Sequence, residues 1–303
     1  MPYPQKSVNW KFLHAPGEKP DKDTLFIGVE LELEDTEGPP DGARYDRVYT
    51  RLESLAKCFD ESNPSLWQYG DDGSLHFGVE FKTNPFTYQY YAQGQMNLTT
   101  LFGSIKGKAA PFAWDNKEYT AGVHIHMSRA GFTTEHLERF IKFHYNNKAL
   151  CQLVAGRESE AYASFNMGKN KGYVYSPDRT IRVETDDETI SKLAKGESHG
   201  HTRYMAVNMQ PRNTIELRYF VSTARQKRFQ GYIEWAFALY EYTKNPDNAL
   251  SGADFKHWLS DKLQYENAYK LTQRRLTVEK PKGVVVDKVE AFMPGNFRGY
   301  WRA

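Results

Sequence analysis

The sequence predicts an α+β fold, in which strands and helices of one domain are interspersed along the chain. Segments whose apolar residues recur at every second position, as in strands buried on one face, are separated by segments with apolar residues at helical spacing. The 303 residues contain no internal repeat and no evident linker, and 40% of them are hydrophobic, which allows a sizeable core. We therefore expect a single domain over residues 1–303.

Six segments have the features of strands, which are apolar alternation and bounding turn residues. The last two are separated only by the short turn "PRN", so they are predicted to form a hairpin. The predicted strands lie at 24–34, 66–70, within 71–86, and at 117–128, 202–210 and 213–220.

Helices are predicted between these strands, three of them from a clear apolar stripe. Shorter helices are expected within 88–106, near 251–262 and on to 275. The three stripes are Val48, Leu52, Leu55 and Phe59; Leu137, Phe140, Ile141 and Tyr145; and Phe229, Ile233, Ala236, Phe237 and Tyr240.

Residues 166–200 are rich in glycine, lysine and acidic residues and have no sustained period, so they are predicted to be a mobile insertion. Two roles stay open for this segment: a lid over an active site, or a loop without a function of its own. Residues 276–303 are predicted to be a C-terminal extension.

The composition argues against several classes of partner. Forty basic and 38 acidic residues give a net charge of +2, which leaves little long-range field to attract nucleic acid or an anionic membrane. No stretch is long and apolar enough for a membrane span, and the N-terminus lacks the apolar run of a secretion signal. With only Cys58 and Cys151 available for disulfides, we expect a cytoplasmic protein.

Four of the strands place ionisable side chains on one face. In "FIGVELELE", apolar residues alternate with glutamates, and strand side chains point alternately to opposite faces. The segments "GVEF", "VHIHMS" and "TIELRYF" repeat the pattern with glutamate, histidine and arginine. The polar face would carry Glu30, Glu32, Glu34, Glu80, His124, His126, Glu216 and Arg218.

A sheet face of this composition requires a cation. Two like charges about 4 Å apart would cost about 4 kcal/mol at an effective dielectric constant of about 20. Glutamate oxygens with imidazoles suit Mg²⁺ or Mn²⁺ better than structural zinc. Arg218, two residues from a candidate ligand, indicates that a polyanion such as a nucleoside triphosphate also binds. The chain has no Walker or kinase loop, so metals and side chains would hold the phosphates.

With these motifs, the sequence resembles the amidoligase family, which belongs to the carboxylate-amine ligases together with glutamine synthetase and glutamate-cysteine ligase. The similarity covers most of residues 24–243 and follows the family's order. It is carried by "FIGVELELE", "DDGSLHFGVEF", "AGVHIHMS" and "RYMAVNMQPRNTIELRYFVSTA". The resemblance implies a glutamine-synthetase-like curved, mainly antiparallel sheet that is backed by helices, with ATP and metal ions in its concavity.

The resemblance also implies two metal ions that are bound from adjacent positions of the first strand, Glu30 and Glu32. His124 and Glu216 would complete the ligands of the Glu30 ion, and Glu80 would join the Glu32 ion.

Further residues would act on the phosphates and the substrate. Arg218 matches an arginine that contacts the transferred phosphoryl group, Arg203 matches a second one, and His126 would face the phosphates or support a ligand. Asn208 would position substrate, but it has the opposite strand parity to Arg203, so both reach the site only through a bulge or a strand end. Asp72 is either a turn former or a substrate or metal ligand.

The implied reaction uses ATP and Mg²⁺, or Mn²⁺, to join a small-molecule or peptide carboxylate to an amine through an acyl phosphate. Three different functions remain open at this point. They are a metal-dependent hydrolase, a non-catalytic module of the same fold that binds ATP and metal, and a kinase of the guanidino type.

Overall fold

One antiparallel sheet organises the computed structural model. Its strands lie in the spatial order β2-β3-β1-β5-β7-β6, and the short β4 pairs with the end of β1. The strands are β1 (Ile27–Asp35), β2 (Trp67–Gly70), β3 (Gly78–Thr83), β4 (Ala109–Ala110), β5 (Gly122–Ser128), β6 (Val207–Asn208) and β7 (Thr214–Val221). The structure describes residues 4–7, 9–36, 45–110, 121–157, 159, 162–165, 187–195 and 203–273.

Helices account for most of the remaining described chain, and every predicted helix has a counterpart. None of these helices has the length and apolar character that a membrane crossing requires. The predicted mixed fold and antiparallel sheet are confirmed, while the glutamine-synthetase-like fold stays a prediction. The helices are α1 (Tyr45–Ser62), α2 (Tyr88–Ala92), α3 (Leu98–Ser104), α4 (Thr134–Asn146), α5 (Lys148–Ala155), α6 (Asp187–Ala194), α7 (Gln226–Lys244), α8 (Gly252–Ser260) and α9 (Glu266–Thr272).

The sheet buries its apolar face against helices. Phe81 of β3 stacks on Phe59 of α1 with ring centroids 3.5 Å apart, and Phe59 also meets Trp67 of β2 edge to face. The strand residues that alternation predicts to point inward are at most 2% exposed, so that the polar face lies opposite the core. These residues are Ile27, Val29, Leu31, Leu33, Val79, Phe81, Val123, Ile125, Met127, Ile215, Leu217 and Tyr219.

A β-bulge divides β7 into two halves. Val123 of β5 pairs with Phe220, but two residues later Ile125 pairs with Leu217, so β7 advances three residues where β5 advances two. Because of the extra residue, Tyr219 and Phe220 are both buried although they are consecutive. Alternation alone predicts only the first of them to face the core.

The C-terminal hairpin is confirmed, but its first strand is much shorter than the predicted 202–210. The described strand β6 contains only residues 207–208, which pair antiparallel with β7. Arg129 closes the hairpin, since its guanidinium donates hydrogen bonds to carbonyl oxygens of Pro211 and Thr214 at 3.2 and 3.1 Å. These bonds hold the turn that connects β6 to β7, while Tyr204 and Ala206 before β6 bond to the backbone of Ser164.

Helix α7 is buried on more of its surface than its apolar stripe predicts. The additional contact is with α9, which packs so closely that a Cβ on Gly231 would lie 2.7 Å from Leu271 Cδ1. The buried carboxylate of Glu234 accepts hydrogen bonds from the Asn267 and Ala268 amide groups at the start of α9, at 2.7 and 3.0 Å. A partner helix that is distant in sequence therefore explains the second buried face.

Part of the predicted insertion 166–200 is a helix. Ile190 and Leu193 of α6 are 1% and 2% exposed, and the helix packs against α4. Residues 187–194 thus form a regular element whose amphipathic stripe is too short to give a sustained period, and the mobility of the insertion stays a prediction. The rest of the insertion and the predicted extension 276–303 lie outside the described residues.

A buried histidine links the sheet to two helices. Nδ1 of His144 in α4 lies 2.8 Å from the Phe140 carbonyl oxygen, and since a carbonyl only accepts, Nδ1 carries the proton. Nε2 therefore accepts from the Tyr219 hydroxyl at 3.0 Å, and that hydroxyl accepts from Trp235 Nε1 at 2.9 Å. Burial lowers the pKa of His144 to about 4, so the ring is neutral at physiological pH.

We expect the free energy of unfolding to fall as the pH drops from about 6.5 to about 4, because of His144. In this interval the unfolded chain binds a proton that the folded protein excludes, which favours unfolding by on the order of 3 kcal/mol at the lower limit. NMR titration of the histidine rings and urea unfolding at several pH values measure the effect. A His144 ring that titrates at its ordinary pKa would contradict the buried neutral state.

Candidate metal centre

The registers of three strand pairs bring the predicted polar face together. Side chains from β1, β3, β5 and β7 meet on the sheet face opposite the core, as the alternation predicts. The residues that lie directly across from one another are Glu30 and His124, Glu32 and Glu80, and His126 and Glu216.

Two groups of side chains have the arrangement of metal ligands. The one that we call the first group contains Glu30, His124 and Glu216. Each offers one oxygen or nitrogen atom, and these atoms all lie within 4.8 Å of one another. His124 Nδ1 is 3.2 Å from Glu30 Oε2 and 3.6 Å from Glu216 Oε1, so one ion can contact all three side chains. The family resemblance implies this same set for one of the two ions.

The second group contains Glu32, Asp72 and Glu80. The possible ligand atoms of these three side chains also lie within 4.8 Å of one another. The position of Asp72 is compatible with both roles that the sequence left open. Its carboxylate accepts a hydrogen bond from the Ser74 amide at 2.7 Å, as in an Asx turn, and the same side chain lies beside the two glutamates. The structure thus brings a loop carboxylate to the pair that the motifs predict.

The third glutamate of β1 supports this loop. The Glu34 carboxylate is fully buried and accepts hydrogen bonds from the His76 and Phe77 amide groups at 3.0 and 2.8 Å. Alternation predicts correctly that Glu34 points away from the core. The backbone bonds give its carboxylate a role in holding the loop that carries Asp72, next to the two groups.

Two of the three carboxylates of the second group are unfavourable in the charged form. Burial, followed by the charge of Glu30, raises the pKa of Glu80 to about 8, although Lys82 opposes the rise. Burial likewise raises the pKa of Glu32 against the opposing effect of His124. A bound cation would relieve this penalty by favouring the charged forms.

Hydrogen bonds keep Glu30 charged. Burial disfavours its carboxylate, but hydrogen bonds and charge from His124 and His126 outweigh burial and hold the pKa of Glu30 well below its usual range. His126 Nε2 lies 3.3 Å from Glu30 Oε1, and its Nδ1 lies 3.3 Å from Thr214 Oγ1. These contacts fit one of the two roles implied for His126, which is to support the ligand Glu30. The side chain of His126 is still partly exposed.

The carboxylate of Glu216 is held from both sides. Asn208 Nδ2 donates a hydrogen bond to Oε2 at 2.6 Å, and Arg218 donates a short one to Oε1. The resemblance implies that Asn208 positions substrate. In the structure its side chain is instead hydrogen-bonded to Glu216, a candidate metal ligand. Arg218 keeps its Nε buried with no hydrogen-bond partner among the described residues. A buried unused donor of this kind fits an anion that binds beside the first group.

Arg203 is exposed and lies in the turn before β6. Its guanidinium donates to the Tyr204 hydroxyl at 3.1 Å, and this bond, followed by weaker effects of Asp72 and Glu216, raises the pKa of Arg203. Because Arg203 precedes the strand and Asn208 lies within it, their opposite parity is no obstacle. Arg203 lies near the two groups but is not bonded to them.

Arg157 lies beside the second group, where it would either hold an acidic substrate or belong to a solvated loop. It follows α5, is 6% exposed, and donates to the carbonyl oxygens of Tyr219 and Arg218 at 3.3 and 3.0 Å. Its charge also favours ionised Glu32. Burial rules out the solvated loop, and since the contacts are all distant in sequence, no local pattern could have revealed them.

Gly122 provides space for this arrangement. A Cβ at this position would lie 2.9 Å from Arg157 Nη2, 3.1 Å from His124 Nε2 and 3.5 Å from Glu32 Oε2. The Gly122 amide also donates to Glu32 Oε2 at 2.5 Å. Residues of both groups therefore converge over a position that has no side chain.

We expect Gly122→Ala to weaken Mn²⁺ binding by about tenfold, because the added methyl group would lie only 3.1 Å from His124 Nε2 and displace this ligand. Titration followed by the EPR signal of free Mn²⁺ measures the affinity, and circular dichroism reports the fold. Gly103→Ala is the matched control, since a Cβ there meets nothing within 4 Å. Equal affinities of the two variants would contradict this role of Gly122.

A cavity of about 840 Å³ borders the first group. Glu30, Lys82 and His126 line one part of it, and Trp10 and Phe12 line another. The two aromatic side chains are each 67% exposed. The cavity is thus lined both by charged groups of the site and by two exposed aromatic side chains.

No protein-family model matches this sequence, and no curated protein matches it at a significant level. The interpretation of the site therefore rests on its residues. Carboxylates and imidazole without a thiolate suit Mg²⁺ or Mn²⁺, and the unused Arg218 donor fits an accompanying anion. The sheet and the two groups together define a mixed helix-and-strand protein with a candidate centre for two divalent ions.

Proposed function

We propose that the protein is an ATP- and Mg²⁺-dependent ligase that joins a carboxylate to an amine through an acyl phosphate. The observation that carries the proposal is the presence of two candidate ligand groups at one sheet face, with Arg218 bonded to Glu216 of the first group. A single group would suit many metal proteins. Two groups next to an arginine with an unused donor suit a metal-bound triphosphate better, and the motif resemblance points to the same chemistry.

The ligand assignment follows the two groups. The ions, when bound, would neutralise oxygens of the β- and γ-phosphates of ATP, and Mn²⁺ could replace Mg²⁺. The residues that would hold them are Glu30, His124 and Glu216 for one ion and Glu32, Asp72 and Glu80 for the other.

The remaining residues would orient the metal ligands and stabilise the transferred phosphoryl group. The substrate carboxylate attacks the γ-phosphorus, ADP leaves, and the Arg218 guanidinium stabilises the charge that spreads over the transferred phosphoryl group. The amine then attacks the acyl carbon, loses a proton and displaces phosphate to give the amide. Asn208 holds Glu216 in its orientation, and His126 does so for Glu30. Arg203 would reach the phosphates by a side-chain movement from its exposed position.

Incubation of the protein with ATP, Mg²⁺ and a metabolite extract tests the proposal. Mass spectrometry should detect a product whose mass equals an acid plus an amine minus water, formed together with ADP and phosphate. Omission of ATP or Mg²⁺ should abolish the product. Failure to form any such condensation product across acid and amine mixtures would count against a ligase.

A metal-dependent hydrolase is the second candidate, because two adjacent ligand groups also suit the activation of water. The arginine bonded to Glu216 argues against it, since a guanidinium there would disfavour a nearby cation unless an anion is bound as well. Metal-dependent cleavage of substrates without nucleotide would favour the hydrolase.

Incubation with ATP and Mg²⁺ also distinguishes a ligase from a kinase and from a non-catalytic module. A guanidino-type kinase would leave a stable phosphorylated product in the absence of an amine acceptor. A non-catalytic module would bind ATP and metal, as shown by a thermal shift, without turning ATP over.

A further inference from the structure

Lys82 is a cation that joins the two candidate ligand groups. Its ammonium nitrogen lies 2.7 Å from Glu80 Oε2 in the second group and 3.3 Å from Glu30 Oε1 in the first. Lys82 lies on β3 directly across from Glu30, and its side chain is 41% exposed. The end of the side chain can therefore move while the backbone stays in the sheet.

Lys82 and a divalent ion would compete for the same oxygen atoms. An ion of the first group needs Glu30, and an ion of the second group needs Glu80, but the ammonium contacts both carboxylates. A positive charge at hydrogen-bond distance from a ligand oxygen repels an arriving divalent ion. Metal binding thus favours movement of the ammonium away from at least one carboxylate.

The cavity beside the first group is where the displaced ammonium would go. Lys82, Glu30 and His126 are among the residues that line it, and so are the aromatic residues Trp10 and Phe12. Aromatic faces suit a planar base, whereas the lysine end suits an anion. A nucleotide in this cavity would therefore have its phosphates within reach of Lys82.

We propose that Lys82 is an exchangeable counter-ion, which pairs with Glu30 and Glu80 before metal binds and contacts a nucleotide phosphate afterwards. This inference rests on the proposed function, because it needs both metal and nucleotide at the site. It requires opposite effects of one substitution: loss of the lysine charge strengthens metal binding and weakens nucleotide binding. A lysine with only a structural role would weaken both.

Metal affinity is the first measurement. Without nucleotide, Lys82→Met is expected to bind Mn²⁺ about tenfold more tightly than the wild-type protein, which corresponds to about 1.4 kcal/mol. Lys82→Gln should show a similar gain in Mn²⁺ affinity, and the Mn²⁺ affinity of Lys82→Arg should stay close to that of the wild-type protein. The matched control is Lys142→Met, which removes a lysine that pairs with Glu138 on α4 at 3.0 Å. Free Mn²⁺ is measured by EPR, and thermal unfolding verifies that each variant is folded.

Nucleotide affinity is the second measurement. At saturating Mn²⁺, Lys82→Met is expected to bind a non-hydrolysable ATP analogue about tenfold more weakly. Tripolyphosphate, which shares only the phosphates, should lose affinity by a similar factor. A loss confined to the ATP analogue would place the lysine contact away from the phosphates and overturn this part of the inference.

The outcomes separate the inference from the proposed function. In one outcome, the wild-type protein binds Mn²⁺ and the neutral Lys82 variants bind it equally or more weakly. That result would contradict the proposed role of Lys82 as an exchangeable counter-ion and leave the proposed metal centre in place. If the wild-type protein binds neither Mn²⁺ nor the nucleotide, the proposed function and the inference both fail.

Discussion

Glu216→Gln is expected to lower metal-dependent ATP turnover by about a thousandfold, equivalent to about 4 kcal/mol of activation free energy. Glutamine has nearly the same shape and its one amide oxygen can still accept the hydrogen bond from Arg218, although its NH2 group replaces the oxygen that accepts from Asn208, so the sheet should keep its structure. The amide lacks the negative charge that would hold an ion between Glu30 and His124. Release of ADP from ATP in the presence of Mg²⁺ and substrates measures the effect.

Glu138→Gln is the matched control for this experiment. Glu138 is a carboxylate on α4 that pairs with Lys142, so its replacement removes the same charge outside the site. The control should turn over ATP like the wild-type protein. Unfolding of the Glu216 variant would show that this glutamate is structural, and full activity would remove it from the metal centre.

Glu80→Gln is expected to have opposite effects on stability and on metal binding. In the chelator-treated protein, the free energy of unfolding should rise by about 1–3 kcal/mol, because a buried carboxylate directly across from Glu32 is replaced by a neutral amide. The same change should remove one of two Mn²⁺ ions per chain, since the second group loses a charged ligand.

Urea unfolding with and without Mn²⁺ tests both effects of Glu80→Gln, and equilibrium dialysis gives the number of bound ions. Mn²⁺ should stabilise the wild-type protein more than the variant. A metal-free variant that is less stable than the wild type would contradict the prediction. It would mean that the 2.7 Å contact of Glu80 with Lys82 stabilises the fold by more than the repulsion between Glu80 and Glu32 destabilises it.

The sheet and its two faces could be predicted because alternation is local. Once Leu31 and Leu33 point inward, Glu30 and Glu32 must point outward, and the hydrophobic pattern sets the strand register. The end of β7 could not be predicted in this way. The burial of Phe220 depends on a bulge, which is determined by how β7 pairs with β5.

The candidate site was predictable to the extent that its members lie on alternating strands. Lys82 was within reach of the same reasoning, because it lies two residues after Glu80 and therefore on the same face. Asp72 and Arg157 lie in loops, where no periodicity says which way a side chain points. Their positions depend on tertiary contacts, such as the Glu34 bonds that hold the loop of Asp72.

The bulge in β7 limits which length changes the protein can tolerate. Leu217 and Phe220 are three residues apart and both face the core because the bulge holds the extra residue between them, whereas Glu216 and Leu217 alternate regularly, so one residue inserted between Glu216 and Leu217 would turn one half of the strand over. Either Phe220 would leave the core, or Glu216 would enter it. Natural variants and engineered libraries should therefore keep the spacing in this strand constant and accept insertions at the hairpin turn near Arg212, which is exposed.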